Sequence, residues 1–162
     1  MSEPVADQEP VAEDPAAVRI DGWAADAHLL EPFLEEPNLA RIGTVDGSGD
    51  PHLVPVWFHW DGSRFLVGAQ AEDHKVENVR RSGRAALEID SDLRRKRGIL
   101  VRGRAMLIEG EEGRSAYRRL AESQLPRYLP DRPPHETARR MAEKGDPVVI
   151  VIAPETIRSW GR

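Results

Sequence analysis

The chain has no cysteine. That excludes disulfides, thiolate metal sites and cysteine nucleophiles. No apolar run approaches the ~20 residues that span a bilayer. The first residues lack the basic, apolar and small-residue regions of a secretory signal, so the expectation is a cytoplasmic protein. Residues 1–18 contain no Lys or Arg but five acids, Glu3, Asp7, Glu9, Glu13 and Asp14. They account for the formal net charge of −5, since the remainder balances 23 acids against 23 bases. A neutral body gives no case for nucleic acid, which calls for a basic domain. The five histidines, His28, His52, His59, His74 and His135, show no metal-ligand spacing. There is no serine nucleophile elbow. Gly47-Ser48-Gly49 lacks the lysine and Ser or Thr of a phosphate loop and reads as a turn. No internal repeat is visible.

What is present is one domain's worth of patterned chain. The 162 residues are 40% hydrophobic and 31% charged, ordinary globular values. The Pro-, Ala- and acid-rich start is expected to be a disordered tail over 1–20, followed by a single domain over 21–162. A helix is expected over 24–35, with Leu29, Leu30, Phe33 and Leu34 as its apolar stripe and Pro32 as a kink or break. Strands are expected over 39–45, 52–60 and 64–70, joined by turns at Gly47 to Asp50 and at Asp61-Gly62. Both sides of the 52–60 run are apolar, which predicts cover on both faces, and Pro55 within it predicts an edge, a bulge or an interruption. A helix follows over 74–81, capped by Asp73 and ended by Gly83. Strands over 84–90 and 99–109 flank a basic loop, Arg94-Arg95-Lys96-Arg97. Helices over 111–125 and 135–144 bracket an irregular, proline-rich stretch over 126–134. The last strand is expected over 148–152, with 156–160 extending it after Pro154. The first three strands have no crossover helices, so a parallel doubly wound sheet fits poorly. The expected class is mainly β with peripheral helices, a closed and predominantly antiparallel barrel.

The run Ile42-Gly43-Thr44-Val45-Asp46-Gly47-Ser48-Gly49-Asp50-Pro51-His52-Leu53-Val54-Pro55-Val56-Trp57-Phe58 resembles the opening of the pyridoxamine 5′-phosphate oxidase-like split β-barrel proteins. His74-Lys75-Val76-Glu77-Asn78-Val79-Arg80-Arg81 with Arg84-Ala85-Ala86-Leu87, and Gly98-Ile99-Leu100-Val101-Arg102-Gly103-Arg104-Ala105, resemble that family's helix and later strands. The resemblance covers about residues 28–160 and is nearest to the flavin/deazaflavin-dependent oxidoreductase branch. It implies an FMN-binding-like split barrel, a homodimer and a cofactor at the subunit interface. The cofactor would be the 5-deazaflavin coenzyme F-420 or, as the alternative, FMN. Some relatives bind haem or have no known activity.

Lys75 matches the lysine that contacts the cofactor phosphate in the family. A cation at a helix start makes physical sense with an anion beside it, because the helix dipole alone disfavours it. His74 is a hydrogen-bond candidate at the same place, although Asp73 departs from the family's basic residues there. Val54-Pro55-Val56-Trp57 resembles the strand that lies along the cofactor ring. Val54 stands where the pyridoxamine phosphate oxidases proper carry an arginine, which argues against that specific enzyme. Arg80 and Arg81 are further phosphate candidates. His59 and Trp160 are candidates for the substrate side, and Arg94, Arg95, Lys96 and Arg97 for an anionic cofactor tail. No catalytic acid–base residue is identified. The function implied is hydride transfer from reduced F-420 to a small unsaturated substrate, with an FMN enzyme or a non-catalytic flavin, deazaflavin or haem binder as alternatives.

Overall fold

The computed structural model describes residues 17–91 and 96–161. Its strands are β1 (Arg19–Asp21), β2 (Ala40–Val45), β3 (Pro51–Val56), β4 (His59–Trp60), β5 (Phe65–Gln70), β6 (Arg84–Asp90), β7 (Gly98–Ile108) and β8 (Pro147–Trp160). The helices are α1 (Ala27–Glu35), α2 (His74–Ser82), α3 (Gly110–Tyr128) and α4 (Pro134–Ala142). Apart from the parallel β1–β8 pair, every strand pairing is antiparallel. The sheet runs β3-β2-β6-β7-β8-β5-β4 and curls into a split barrel.

Alternation explains which face of each strand turns inward. Ala40, Ile42 and Thr44 of β2, Phe65, Val67 and Ala69 of β5, and Ala85, Leu87 and Ile89 of β6 are buried. β8 is different, because both of its faces are covered. Val148, Ile150 and Ile152 enter the barrel core, while Val149 and Val151 pack with Leu120 beneath α3. A continuous apolar run is the pattern such two-sided cover demands.

Several expectations change. The 52–60 run is two strands, because Phe58 turns into the core at 0% exposure and breaks the pairing. β3 is an edge strand, which accommodates Pro55, and within the single chain its outer face is exposed, with Leu53 at 64%. Among the described residues, the sheet is not closed by hydrogen bonds. Its two end strands, β3 and β4, are joined by the chain itself through Trp57 and Phe58. β8 runs unbroken through Pro154, because Glu155 is an extra residue opposite the Arg102–Gly103 step of β7. Only glycine fits at 103, where a Cβ would lie 2.0 Å from the Ala153 carbonyl oxygen. α3 continues through Pro126 to Tyr128, so the irregular stretch is shorter than the four prolines suggest.

At the start, α1 opens at Ala27 behind a 3-10 turn, Gly22–Ala25, and passes through Pro32 without dividing. Asp26 caps it, accepting from the His28 N–H at 2.9 Å. Arg19 and Ile20 belong to β1 and pair with β8, so the structured chain begins before residue 21. The rest of the proposed tail, up to residue 16, lies outside the described residues. α2 is fastened to β2 by a buried bond from the Asn78 carboxamide to the Thr44 hydroxyl, 3.0 Å. Gly83, at φ 65°, ends it.

Candidate functional site

The end of β3, the link that follows it, the first turn of α2 and one face of α3 enclose a pocket of about 450 Å³. Small-molecule sites usually fall between about 300 and 1,000 Å³. Pro55, Val56 and Trp57 form one wall. Tyr117, Leu120, Ala121 and Gln124 of α3 form the opposite one, spaced so that they share a helical face. Met141 of α4, Leu39 and Gly68 complete the lining, and Lys75 supplies its cation. The backbone of β5 reaches close to α3 at Gly68, where a Cβ would sit 2.8 Å from the Tyr117 ring.

Lys75 is only 14% exposed at its side chain. Its ammonium donates to Asp73 Oδ2 at 2.7 Å. Asp73 also accepts from the Gln70 N–H at 3.0 Å, and its side chain does not cap the backbone N–H groups of α2. Partial burial pushes the Asp73 carboxyl up, but the Gln70 N–H and Lys75 outweigh it and hold the group below the usual carboxylate range. Burial, with the Asp73 charge nearby, pushes the Tyr117 hydroxyl up, so it stays protonated at neutral pH. One face of the Trp57 ring is taken by Tyr128, stacked at 4.8 Å with 7° between planes. Gln124 is 4% exposed, and its buried Nε2 has no hydrogen-bond partner.

Pro55, Val56, Trp57 and Lys75 are therefore brought together. The other candidates lie elsewhere. Val54 packs on the main core. His74 is exposed and sits 5.8 Å from the His52 ring. Arg80 bridges Glu77 and Glu109 on the surface. Arg81 donates to the Val45 carbonyl at the β2–β3 turn. His59 lies in a separate pocket with Glu31, Glu35 and Arg127. Trp160 covers Gly98, and its carbonyl accepts from the Trp23 indole at 2.8 Å. Arg97 lies over the Trp23 ring at 4.2 Å, while Lys96 is exposed. Arg94 and Arg95 are outside the described residues. Among the described residues, no group of three or more His, Asp or Glu is placed to hold a metal ion.

The α3 wall was not read from the sequence as part of a site. Tyr117, Leu120 and Ala121 look like an ordinary core-facing stripe. The available signal was Gln124, a polar residue one further step along that same apolar face.

Comparison with known proteins identifies the family and the fold. The sequence pattern of pyridoxamine 5′-phosphate oxidase matches residues 27–161. An F-420 reductase is 26% identical, over 78% of this chain and 94% of that one, with a TM-score of 0.59. A Listeria innocua protein, assigned as a pyridoxamine 5′-phosphate oxidase by name only, is 25% identical over 83% and 98%, with a TM-score of 0.61. The haem storage protein of Vibrio cholerae shares the fold alone, with 13% identity over 83% and 92% and a TM-score of 0.62. No curated protein matches the chain.

Proposed function

Because the chain belongs to the pyridoxamine 5′-phosphate oxidase family, we propose that it is an oxidoreductase that uses F-420 to reduce a small, planar, unsaturated substrate. The observation that carries this reading is the placement of Lys75. A lysine whose side chain is only 14% exposed stands in the first turn of a helix and lines a mainly apolar pocket. The α-helix dipole disfavours a cation there. Asp73 recovers part of that cost, and an anionic ligand would recover more by drawing on the ammonium and on the His74 and Lys75 N–H groups at the helix start.

The residues fit such a cofactor. Trp57, Val56 and Pro55 offer a flat apolar wall for a ring, faced by Leu120 and Ala121. Asp73 occupies one of the three hydrogens of the Lys75 ammonium and leaves two for a phosphate. It also lowers the net positive charge of the site. A phosphodiester, as in F-420, carries one negative charge. A phosphomonoester, as in FMN, carries about 1.5 to 2 near neutral pH. Asp73 therefore disfavours FMN more, and the similarity to an F-420 reductase supports the same choice.

When bound, the cofactor ring supplies the hydride chemistry. The chain's own part is to hold the ring, exclude water and present the Tyr117 hydroxyl as a hydrogen-bond donor. The outer face of β2 and β3 carries Val45 and Leu53, 47% and 64% exposed, beside Gly43, Pro51 and Pro55. Pro55 also lines the pocket, so a second copy seated on this face would complete the site. We propose that homodimer. No described helix is long and apolar enough to cross a membrane.

The test is titration of the purified protein with F-420, FMN and haem by fluorescence and absorbance, repeated with Lys75→Ala. The expected result is saturable F-420 binding that weakens about tenfold in the variant, the loss of one charge-assisted contact. Exclusive FMN binding replaces the cofactor assignment. Haem binding with neither flavin nor deazaflavin overturns the enzyme.

A further inference from the structure

We propose that the acidic segment 1–16 docks through its carboxylates into a basic cleft where β7, β8 and β1 run side by side. The cleft holds about 510 Å³ and is lined by Arg19, Ile20, Asp21, Leu100, Arg102, Thr156 and Arg158. Strand register sets its charge. Arg102 of β7 and Arg19 of β1 both pair with Thr156 of β8, so they flank that residue from opposite sides. Arg158, two residues along β8, pairs with Leu100 and Asp21. It is therefore the diagonal neighbour of both other arginines, about 8 Å away by strand spacing and rise. That separation is comparable with the ~8 Å over which charges act at physiological salt. Asp21, 3.9 Å from Arg158, is the one acid in the lining. Arg19 and Arg102 have no side-chain partner among the described residues. Three guanidiniums against one carboxylate leave an excess of positive charge on one face, where like charges repel and an anion is favoured.

The segment 1–16 supplies that charge at the right place. It carries Glu3, Asp7, Glu9, Glu13 and Asp14 without a Lys or Arg. It leads into β1, which is itself one wall of the cleft. Asp14 stands five residues before Arg19, a reach of up to ~17 Å in extended chain. Crossing from β1 over β8 to β7 takes two strand spacings, ~10 Å. Exposed ion pairs are individually weak. A tethered carboxylate nevertheless meets the arginines at an effective concentration of about millimolar, which favours the chain's own acids over a free carboxylate. Docked in this way, the segment excludes other anions from the cleft.

The experiment uses the full chain, whose lack of cysteine allows a single spin label at Ala6→Cys. In 15N-labelled protein at low salt, the label should broaden the amide signals of Leu100 and Arg102, on the wall away from β1. About 0.5 M sodium chloride should reverse the broadening, and so should Arg102→Gln combined with Arg158→Gln. Absent broadening on β7, or broadening that survives both changes, overturns the proposal. Mixing spin-labelled 14N chain with unlabelled 15N chain should leave the cleft signals sharp, and broadening there would give the cleft to another copy's segment instead. A second measurement titrates tripolyphosphate and follows the Arg102 and Arg158 amides, so that binding at Lys75 is not counted. Glu13→Gln combined with Asp14→Asn should bind it about fivefold more tightly than the parent, the release of two exposed ion pairs. Equal binding by the two proteins overturns the docking.

Discussion

At the scale of single residues, the pair Asp73 and Lys75 decides how the pocket meets an anion. Two unit charges ~4 Å apart interact by about 1 kcal/mol in water. Asp73→Asn keeps an acceptor for the Gln70 N–H while removing one negative charge beside Lys75. It should tighten a singly charged phosphodiester about fivefold and a doubly charged phosphomonoester about thirtyfold. Parallel fluorescence titrations of F-420 and FMN should then show the preference moving towards FMN. A variant that gains for neither cofactor would separate Asp73 from phosphate binding. His59 makes a different prediction. Burial pushes its imidazole below the ordinary value of 6.5, and the Arg127 charge adds to that, against a smaller opposite effect of Asp61. The unfolded chain then binds more protons than the folded one between the folded pKa and 6.5. His59 thus contributes stability that is complete above pH 6.5 and is lost as the pH falls towards the folded pKa. The thermal midpoint of His59→Gln should fall less than that of the parent between pH 7 and pH 5.5. Equal slopes would show that other groups set the acid sensitivity. Lys75 could be read from the sequence because a cation at a helix start is a local anomaly. Asp73 was legible as the N-cap, but its partner was not. Whether its carboxylate turns to the helix or to Lys75 depends on where β5 presents the Gln70 N–H.

At the scale of elements, Arg127 fastens α3 to the rest of the fold. Its guanidinium donates to the Leu34 carbonyl at the end of α1, to the Phe58 carbonyl in the β3–β4 link and to the Tyr128 hydroxyl. It also lies over the Phe58 ring at 4.7 Å and the Tyr128 ring at 4.5 Å. Burial pushes its pKa down without displacing the charge, which Tyr128 helps to hold. Arg127→Met should cost about 2–4 kcal/mol, because it leaves carbonyls unpaired and removes several charged hydrogen bonds. Arg127→Lys should recover less than half of that, since a point charge cannot serve three directions at once. Urea denaturation of the three proteins measures both. Lysine performing as well as arginine would reduce the contact to simple charge. No local pattern announces this residue. In the sequence it follows Pro126 inside a stretch that reads as irregular, and its partners are 69 and 93 positions away. The strands were easier, because alternation is local and survives in β2, β5 and β6. It failed at Trp57-Phe58, where both residues are apolar and β propensity cannot show that the chain leaves one sheet edge to reach the other. It also failed at Pro154, because a bulge is set by the facing strand.

At the scale of the whole molecule, the barrel is split because its edge strands never pair with each other. β3 and β4 are consecutive in the chain, yet they stand at opposite ends of the hydrogen-bonded path. The pocket forms beside that seam, where Trp57 crosses it. β3 therefore faces two ways. Val54 and Val56 pack on the core, while Leu53 at 64% exposure projects outward with Pro51 and Pro55. An exposed apolar edge strand invites association unless it is protected, and its prolines discourage strand-to-strand pairing. A second copy covering the face by side-chain packing satisfies both conditions. Leu53→Lys places a charge at its centre without touching the pocket lining. Burying that charge is costly enough to separate the copies. Light scattering after gel filtration should report a dimer for the parent and a monomer for Leu53→Lys, with an unchanged circular dichroism spectrum. If the second copy completes the pocket, F-420 affinity should fall about tenfold in the same variant, the loss of one substantial contact. A monomer that keeps full affinity would place the whole site within one chain. A variant that remains dimeric would move the interface off β3 altogether.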